Sequence, residues 1–211
     1  MNISEDFEGF RSSDGPDEKQ KLFLEELENS VFGNQEVALE NKIRLMWKLA
    51  QTLKYLGMKE LAEQKFRMLL ELVTSLEGKA QIVLALGQMA EQADDYFLAV
   101  SFYREALSME PATSWTWYFI QNNLGYSLNQ LGRYAEAEIY CRRAISTIPE
   151  FPNAHKNLGL TLIGLKRFRD AAISFVTATH VEPLDHRATG HLKELLDSHP
   201  ELKIEFKNQL G

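Results

Sequence analysis

A Leu-Gly pair recurs with a fixed sequel at Leu86-Gly87, Leu124-Gly125 and Leu158-Gly159, and each of these copies carries the same residues behind it. Twelve positions after each Gly stands an Ala (Ala99, Ala137, Ala171), and seven further on another (Ala106, Ala144, Ala178). Five beyond that is a Pro: Pro111, Pro149 and Pro183. Four after the first Ala comes Tyr103, Cys141 or Phe175. A more divergent copy precedes these, with Leu49, Ala50, Ala62, Phe66 and Leu69, and with Thr74 at the Pro position. From copy to copy the first Ala steps by 37, 38 and 34 residues. A period of this length restricts the chain to an array of one supersecondary unit that buries its apolar face only by stacking on its neighbours.

Each unit has two segments with helical spacing. Ile120, Leu124, Leu128 and Leu131 form the first such stripe in one unit, Gly132-Arg133 breaks it, and Ala137, Cys141, Ala144 and Ile148 form the second. Small residues at Gly125 and Ala137 let two antiparallel helices approach, and the Pro closes the pair because it cannot continue a helix interior. The spacing predicts helices over about 37–55, 59–75, 79–92, 95–109, 114–131, 134–147, 152–165 and 168–181, with Ser114 as a helix cap.

At these positions the sequence resembles the tetratricopeptide repeat family, over roughly residues 43–185. The resemblance implies an all-α fold, a right-handed α-α superhelix of four repeats at about 43–79, 80–117, 118–151 and 152–185. The repeat region is expected over 37–185, after a flexible acidic arm at 1–16 and an N-terminal helix with connector at 17–36. Residues 186–211 are expected to cap the array. Leu192 and Leu196 would lie on the inner side of a helix over 186–198, and a last helix over 200–210 would show Lys203, Lys207 and Asn208 to water. Where the family favours Trp the chain has Met46, Val83, Gln121 and His155, and where it favours Tyr it has Leu53, Ala90, Leu128 and Leu162.

The family's ligand-binding face is lined by the first helix of each unit, at six, three and two positions before the Gly and one after it. On this chain that register gives Arg44, Trp47, Lys48 and Gln51, then Gln81, Leu84, Ala85 and Gln88. It continues with Phe119, Asn122, Asn123 and Tyr126, and with Asn153, Lys156, Asn157 and Leu160. Side-chain amides offer both donor and acceptor, so Gln51, Gln88, Asn123 and Asn157 are the candidates to hold a peptide backbone. Trp47, Phe119 and Tyr126 are candidates for side-chain pockets, and Arg44, Lys48 and Lys156 would favour an acidic segment. The cations of the family's carboxylate clamp are missing from the matching positions. Trp115 and Trp117 fit either an exposed contact edge or helical packing.

Nothing assembles into a catalytic or metal site. The chain has one Cys and five His, the latter at 155, 180, 186, 191 and 199, without metal-ligand spacing, and these His are expected to face solvent. Cys141 occupies a packing position and is expected to be inert. No cofactor is expected. Residues 1–40 hold eleven acids and three bases, which leaves twenty bases against nineteen acids in the remainder. The body is therefore nearly neutral, which argues against nucleic acid as a partner. No apolar run is long enough to span a membrane, so no membrane insertion is expected, and a cytoplasmic setting fits. The expected role is a non-catalytic protein- or peptide-binding scaffold. A secretion-type chaperone holding a partner segment, and a self-associating homo-oligomer, stay open beside it. The arm, with Phe7 and Phe10 among its acids, is a candidate ligand for the surface near Arg44, Lys48 and Lys54.

Overall fold

The computed structural model describes residues 16–33 and 37–206. All of the acidic arm but Pro16, together with Lys207 and Asn208, lies outside the described residues. The described elements are all helical, and the chain divides into two compact units, Met1–Ile82 and Val83–Gly211.

The first unit contains α1 (Glu18–Phe32), α2 (Leu39–Tyr55), α3 (Lys59–Leu72) and the start of α4 (Leu76–Gln92). Asp17 caps α1 reciprocally: its carboxylate accepts the Gln20 backbone N–H at 2.8 Å while its own N–H donates to the Gln20 side chain at 2.8 Å. Leu24, Leu27 and Val31 of α1 are buried. The exposed side of that contact is closed by long cations over rings, with the Lys48 ammonium 5.3 Å from the Phe23 centroid and that of Lys65 4.7 Å from Phe32. Met46, Leu49, Ala50, Ala62, Phe66 and Leu69 have no exposure and form the seam between α2 and α3.

In the second unit, α5 (Tyr96–Ser108), α6 (Ser114–Gln130), α7 (Tyr134–Thr147), α8 (Pro152–Gly164), α9 (Phe168–Val181) and α10 (His186–Ser198) follow the end of α4. The repeat's small and large positions meet. A Cβ at Gly87 would lie 2.4 Å from the Tyr103 ring, at Gly125 2.7 Å from the Cys141 Sγ, and at Gly159 2.5 Å from the Phe175 ring. Each glycine is therefore the slot into which the large residue of the paired helix inserts, and Tyr103, Cys141 and Phe175 are fully buried there. Met46, Val83, Gln121 and His155 are all buried as well, so those four substitutions keep the core position.

Three sequence expectations need correction. The cap of α6 is Thr113, whose hydroxyl accepts the Thr116 N–H at 3.3 Å, and Ser114 is the first helical residue. His155 does not face solvent: it is 9% exposed, and its Nε2 lies 3.0 Å from the Pro149 carbonyl. The terminal segment is broken within its described part, into a 3-10 turn at Pro200–Leu202 and α11 (Lys203–Phe206), because Phe206 turns in and is buried in the cluster of Leu192 and Leu196.

The turn inside each helix pair uses one residue with positive φ: Gly57 at 75°, Asp94 at 58°, Gly132 at 71° and Lys166 at 60°. A lysine at that angle carries a steric cost that glycine lacks, of about 1 kcal/mol. Lys166→Gly should raise stability by about 1 kcal/mol, or ~2–4 °C in a thermal melt of a protein this size. An unchanged or lower midpoint would show that the turn is unstrained.

Candidate functional site

The polar residues of the second unit converge on one cavity of about 320 Å³. α6 supplies Asn122, Asn123 and Tyr126, α8 supplies Asn153, Lys156, Asn157 and Leu160, α4 supplies Glu91, and α10 supplies Arg187 and His191. Successive first helices of the repeat present the same face, so their side chains line up across the wall.

The amides are joined to one another. The Asn157 Nδ2 donates to the Asn122 Oδ1 at 3.0 Å, and the Asn122 Nδ2 donates to the Asn123 Oδ1 at 3.0 Å. Asn123 in turn bonds the Tyr103 hydroxyl, which donates to the Glu91 Oε2 at 2.9 Å, and the Ser127 hydroxyl donates to the same oxygen at 3.2 Å. Burial, followed by the Glu91 carboxylate, pushes the Tyr103 phenol well above its usual range, so it stays a donor. One bond consumes only half of what an amide nitrogen or oxygen can do. Asn123 and Asn157 are half-buried and keep capacity for a ligand, while Asn122, 6% exposed, fixes them from behind.

The cations are committed differently from what the sequence suggests. Lys156 is 5% exposed, and its ammonium is held by Asp185. Asp185 also accepts the Arg187 Nε at 2.9 Å, one guanidinium NH2 at 2.9 Å and the Arg187 backbone N–H at 3.1 Å, which caps α10. Hydrogen bonds from Arg187, with Lys156 adding to them, outweigh burial and hold the Asp185 carboxyl well below the usual carboxylate range.

The remaining candidates are dispersed. Arg44 and Trp47 line a separate cavity of about 370 Å³ in the first unit, between Glu40, Leu69, Val73 and Ile82. Trp47 packs edge-on to Phe66 with centroids 5.7 Å apart, and a guanidinium NH2 of Arg44 donates to the Asn41 Oδ1 at 3.3 Å. Lys48, over Phe23, and Gln51 lie outside that cavity, and Gln88 lies outside the cavity of the second unit. Phe119 belongs to a ring cluster, stacked on Trp115 at 5.8 Å, and Phe151 meets Trp115 edge-on at 4.8 Å. Trp115 is 53% exposed and Trp117 half-buried. Glu91 and Arg187 are not among the sequence candidates, and His191 is expected there only to face solvent. Arg187 and His191 are one 34-residue step beyond Asn153 and Asn157, so extending the register onto α10 finds both. Glu91 sits four residues after its Gly, one turn beyond the register used, and no sequence signal marks it.

Burial pushes the Cys141 thiol up to about 12, which leaves it protonated and unreactive at neutral pH. Among the described residues no three His, Cys, Asp or Glu are placed to hold a metal, and no helix is long and apolar enough to cross a membrane.

Residues 80–113 and 120–148 each match a sequence model of the tetratricopeptide repeat. The chain carries tetratricopeptide repeats. It is 28% identical over 106 residues to the small glutamine-rich tetratricopeptide repeat-containing protein 2 of Mycosarcoma maydis, covering 50% of this chain and 29% of that protein. It is 29% identical over 109 residues to the peroxisomal targeting signal receptor of Eremothecium gossypii, covering 52% and 18%. The chain thus spans less than a third of either relative. Among solved structures, residues 41 to the end of MamA from Desulfovibrio magneticus RS-1 align with a TM-score of 0.65 at 18% identity, over 82% of this chain and 96% of that one. The first repeat domain of Spaghetti (RPAP3), bound to the HSP90 peptide SRMEEVD, aligns with a TM-score of 0.52 at 19% identity, over 60% and 95%. These likenesses show an all-α fold of tetratricopeptide repeats.

Proposed function

We propose that this chain is a non-catalytic scaffold that holds an extended segment of a partner protein against the Asn-lined cavity of its second unit. The observation that carries the reading is the hydrogen-bonded row Asn157–Asn122–Asn123, which presents fixed donors and acceptors across two adjacent repeats. A preorganised row loses little side-chain entropy on binding and pairs backbone groups irrespective of ligand sequence. The peptide bound by the Spaghetti repeat domain lends the reading support by analogy of fold. Acidic character in the segment is served by Arg187 here and by exposed Arg44 in the first unit, rather than by Lys48 or Lys156. A reducing cytoplasm suits a chain whose single Cys is buried.

The test is selection from a displayed library of random nonapeptides with capped ends, using the full chain and its Asn123→Ala/Asn157→Ala variant, both checked for helical melting. Wild type should enrich a family of peptides, and the variant should lose at least about tenfold of that enrichment, as two buried peptide hydrogen bonds imply. Equal enrichment by both overturns the reading. No enrichment by wild type, together with a mass that rises with concentration, would favour the self-associating role instead.

A further inference from the structure

We propose that the exposed Trp115 step at the start of α6 docks a basic side chain, Arg or Lys, of the segment that the second unit binds. The inference rests on the peptide-binding reading above and adds the chemistry of one ligand position.

α6 begins at Ser114, eleven residues before Gly125, whereas α8 begins at Pro152, seven before Gly159. The first turn of α6 therefore has no counterpart on α8, and the two repeats meet in a step. Phe151, the residue that precedes α8, folds into it, with its ring centroid 4.8 Å from that of Trp115 and 5.1 Å from that of Tyr118. Tyr118 is fully buried and meets Phe119 edge-on at 5.3 Å, and Phe119 stacks on Trp115. Four rings from two repeats are thus fixed against one another, yet Trp115 still shows 53% of its surface to water. Trp115, Phe119 and Asn123 are spaced by four, so they share one face of α6, and the step continues the wall that carries the asparagine row. From Asn123 to Trp115 is about 12 Å along the helix, a span of about four residues of extended chain.

The charge around the step selects its occupant. Residues 109–119 and 144–154, which supply the rings and the turns beside them, contain Glu110 and Glu150 and no Lys or Arg. Both carboxylates are exposed, and among the described residues neither is in an ion pair. The face of an aromatic ring is itself negative and draws cations, an indole most strongly, and a guanidinium also stacks flat on it. A basic side chain lays its aliphatic stem on the rings and keeps its charged head in water. Rings and carboxylates therefore favour the same ligand charge. An acidic segment, such as the arm with its Glu5, Asp6 and Glu8, would meet like charge here.

The nonapeptides enriched by wild type should show Arg or Lys at one fixed position, at an end of the uncharged stretch that lies on the asparagines. A synthetic peptide of the consensus should bind wild type about tenfold more weakly when that residue becomes its neutral analogue, citrulline for Arg or norleucine for Lys. Trp115→Leu keeps an apolar side chain but no ring, and should shrink that gap to less than about threefold. Glu110→Gln/Glu150→Gln changes only exposed side chains and should shrink it by about threefold, so it locates the site even if Trp115→Leu fails to fold. Enriched peptides with no basic preference, or a gap that survives both variants, overturn this proposal and leave peptide binding standing. Failure of wild type to out-enrich the double asparagine variant overturns the peptide-binding reading itself, and this inference with it.

Discussion

Asp185→Ala should destabilise the second unit by about 4 kcal/mol, a large loss for one exchange near the surface. The carboxylate is 9% exposed and the Lys156 side chain facing it 7%, so its removal strands an ammonium away from water with no counter-charge at that place. Breaking one partner of a buried pair costs ~3–5 kcal/mol, and the lost cap on α10 adds about 1 kcal/mol. The converse variant, Lys156→Met, should cost only about 1 kcal/mol, because Asp185 keeps both its bonds from the Arg187 guanidinium and its cap. Urea titration of the two variants reads the asymmetry directly. Equal losses would mean that Lys156 is solvated in the folded state.

The same carboxylate predicts an acid limit. Its pKa in the folded chain is depressed, chiefly by Arg187 and then by Lys156, below the value of about 3.9 it takes when unfolded. A depressed pKa means that the stabilisation is complete above pH ~4 and is lost as pH falls toward the folded value. Wild type should therefore lose stability below pH ~4 with a steeper slope than Asp185→Ala, since the variant has no such group to titrate. Parallel slopes between pH 2 and 4 would remove Asp185 from the acid transition.

The helices were legible in the sequence because glycine, alanine and proline punctuate each pair at fixed offsets and the large residue between them repeats. The structure places Gly87, Gly125 and Gly159 against Tyr103, Cys141 and Phe175, as that spacing demands. Where the pattern has no punctuation the reading was coarser. Over 200–210 one helix was expected, yet its described part opens as a 3-10 turn at Pro200–Leu202 before α11, with Phe206 buried. At the cavity the register located Asn123, Tyr126, Lys156 and Asn157 on one wall, since a repeat returns the same face to the same place. It could not show that Asn122 joins the two asparagines, that Lys156 spends its charge on Asp185, or that Glu91 joins the same lining beside Tyr103. Those depend on side-chain reach between repeats, which positional matching within a repeat does not encode.

Gly159 and Phe175 should show the strongest coupling in the protein, with a change of sign. Phe175 is fully buried among Leu158, Leu162, Leu192 and Leu196, so Phe175→Ala should cost about 4 kcal/mol through lost burial and an unfilled cavity. Gly159→Ala sets a Cβ 2.5 to 2.8 Å from three atoms of that fully buried ring. The overlap should cost ~2–3 kcal/mol, against about 1 kcal/mol gained from the better helix former, for a net loss of ~1–2 kcal/mol. With the ring already cut to alanine the clash is gone. Gly159→Ala should then stabilise by about 1 kcal/mol, giving a coupling energy of ~2–3 kcal/mol in a urea double-mutant cycle. The equivalent pair in the preceding repeat supplies the contrast. A Cβ at Gly125 meets not only the Cys141 Sγ at 2.7 Å but also the Cys141 backbone nitrogen at 3.2 Å and the Ala137 carbonyl oxygen at 3.4 Å. Trimming Cys141 to alanine relieves the first contact and leaves the other two, so the rescue there should be partial. Simple additivity at Gly159–Phe175 would mean that the helices slide apart to admit the methyl group, and close approach would no longer explain the glycine in each repeat.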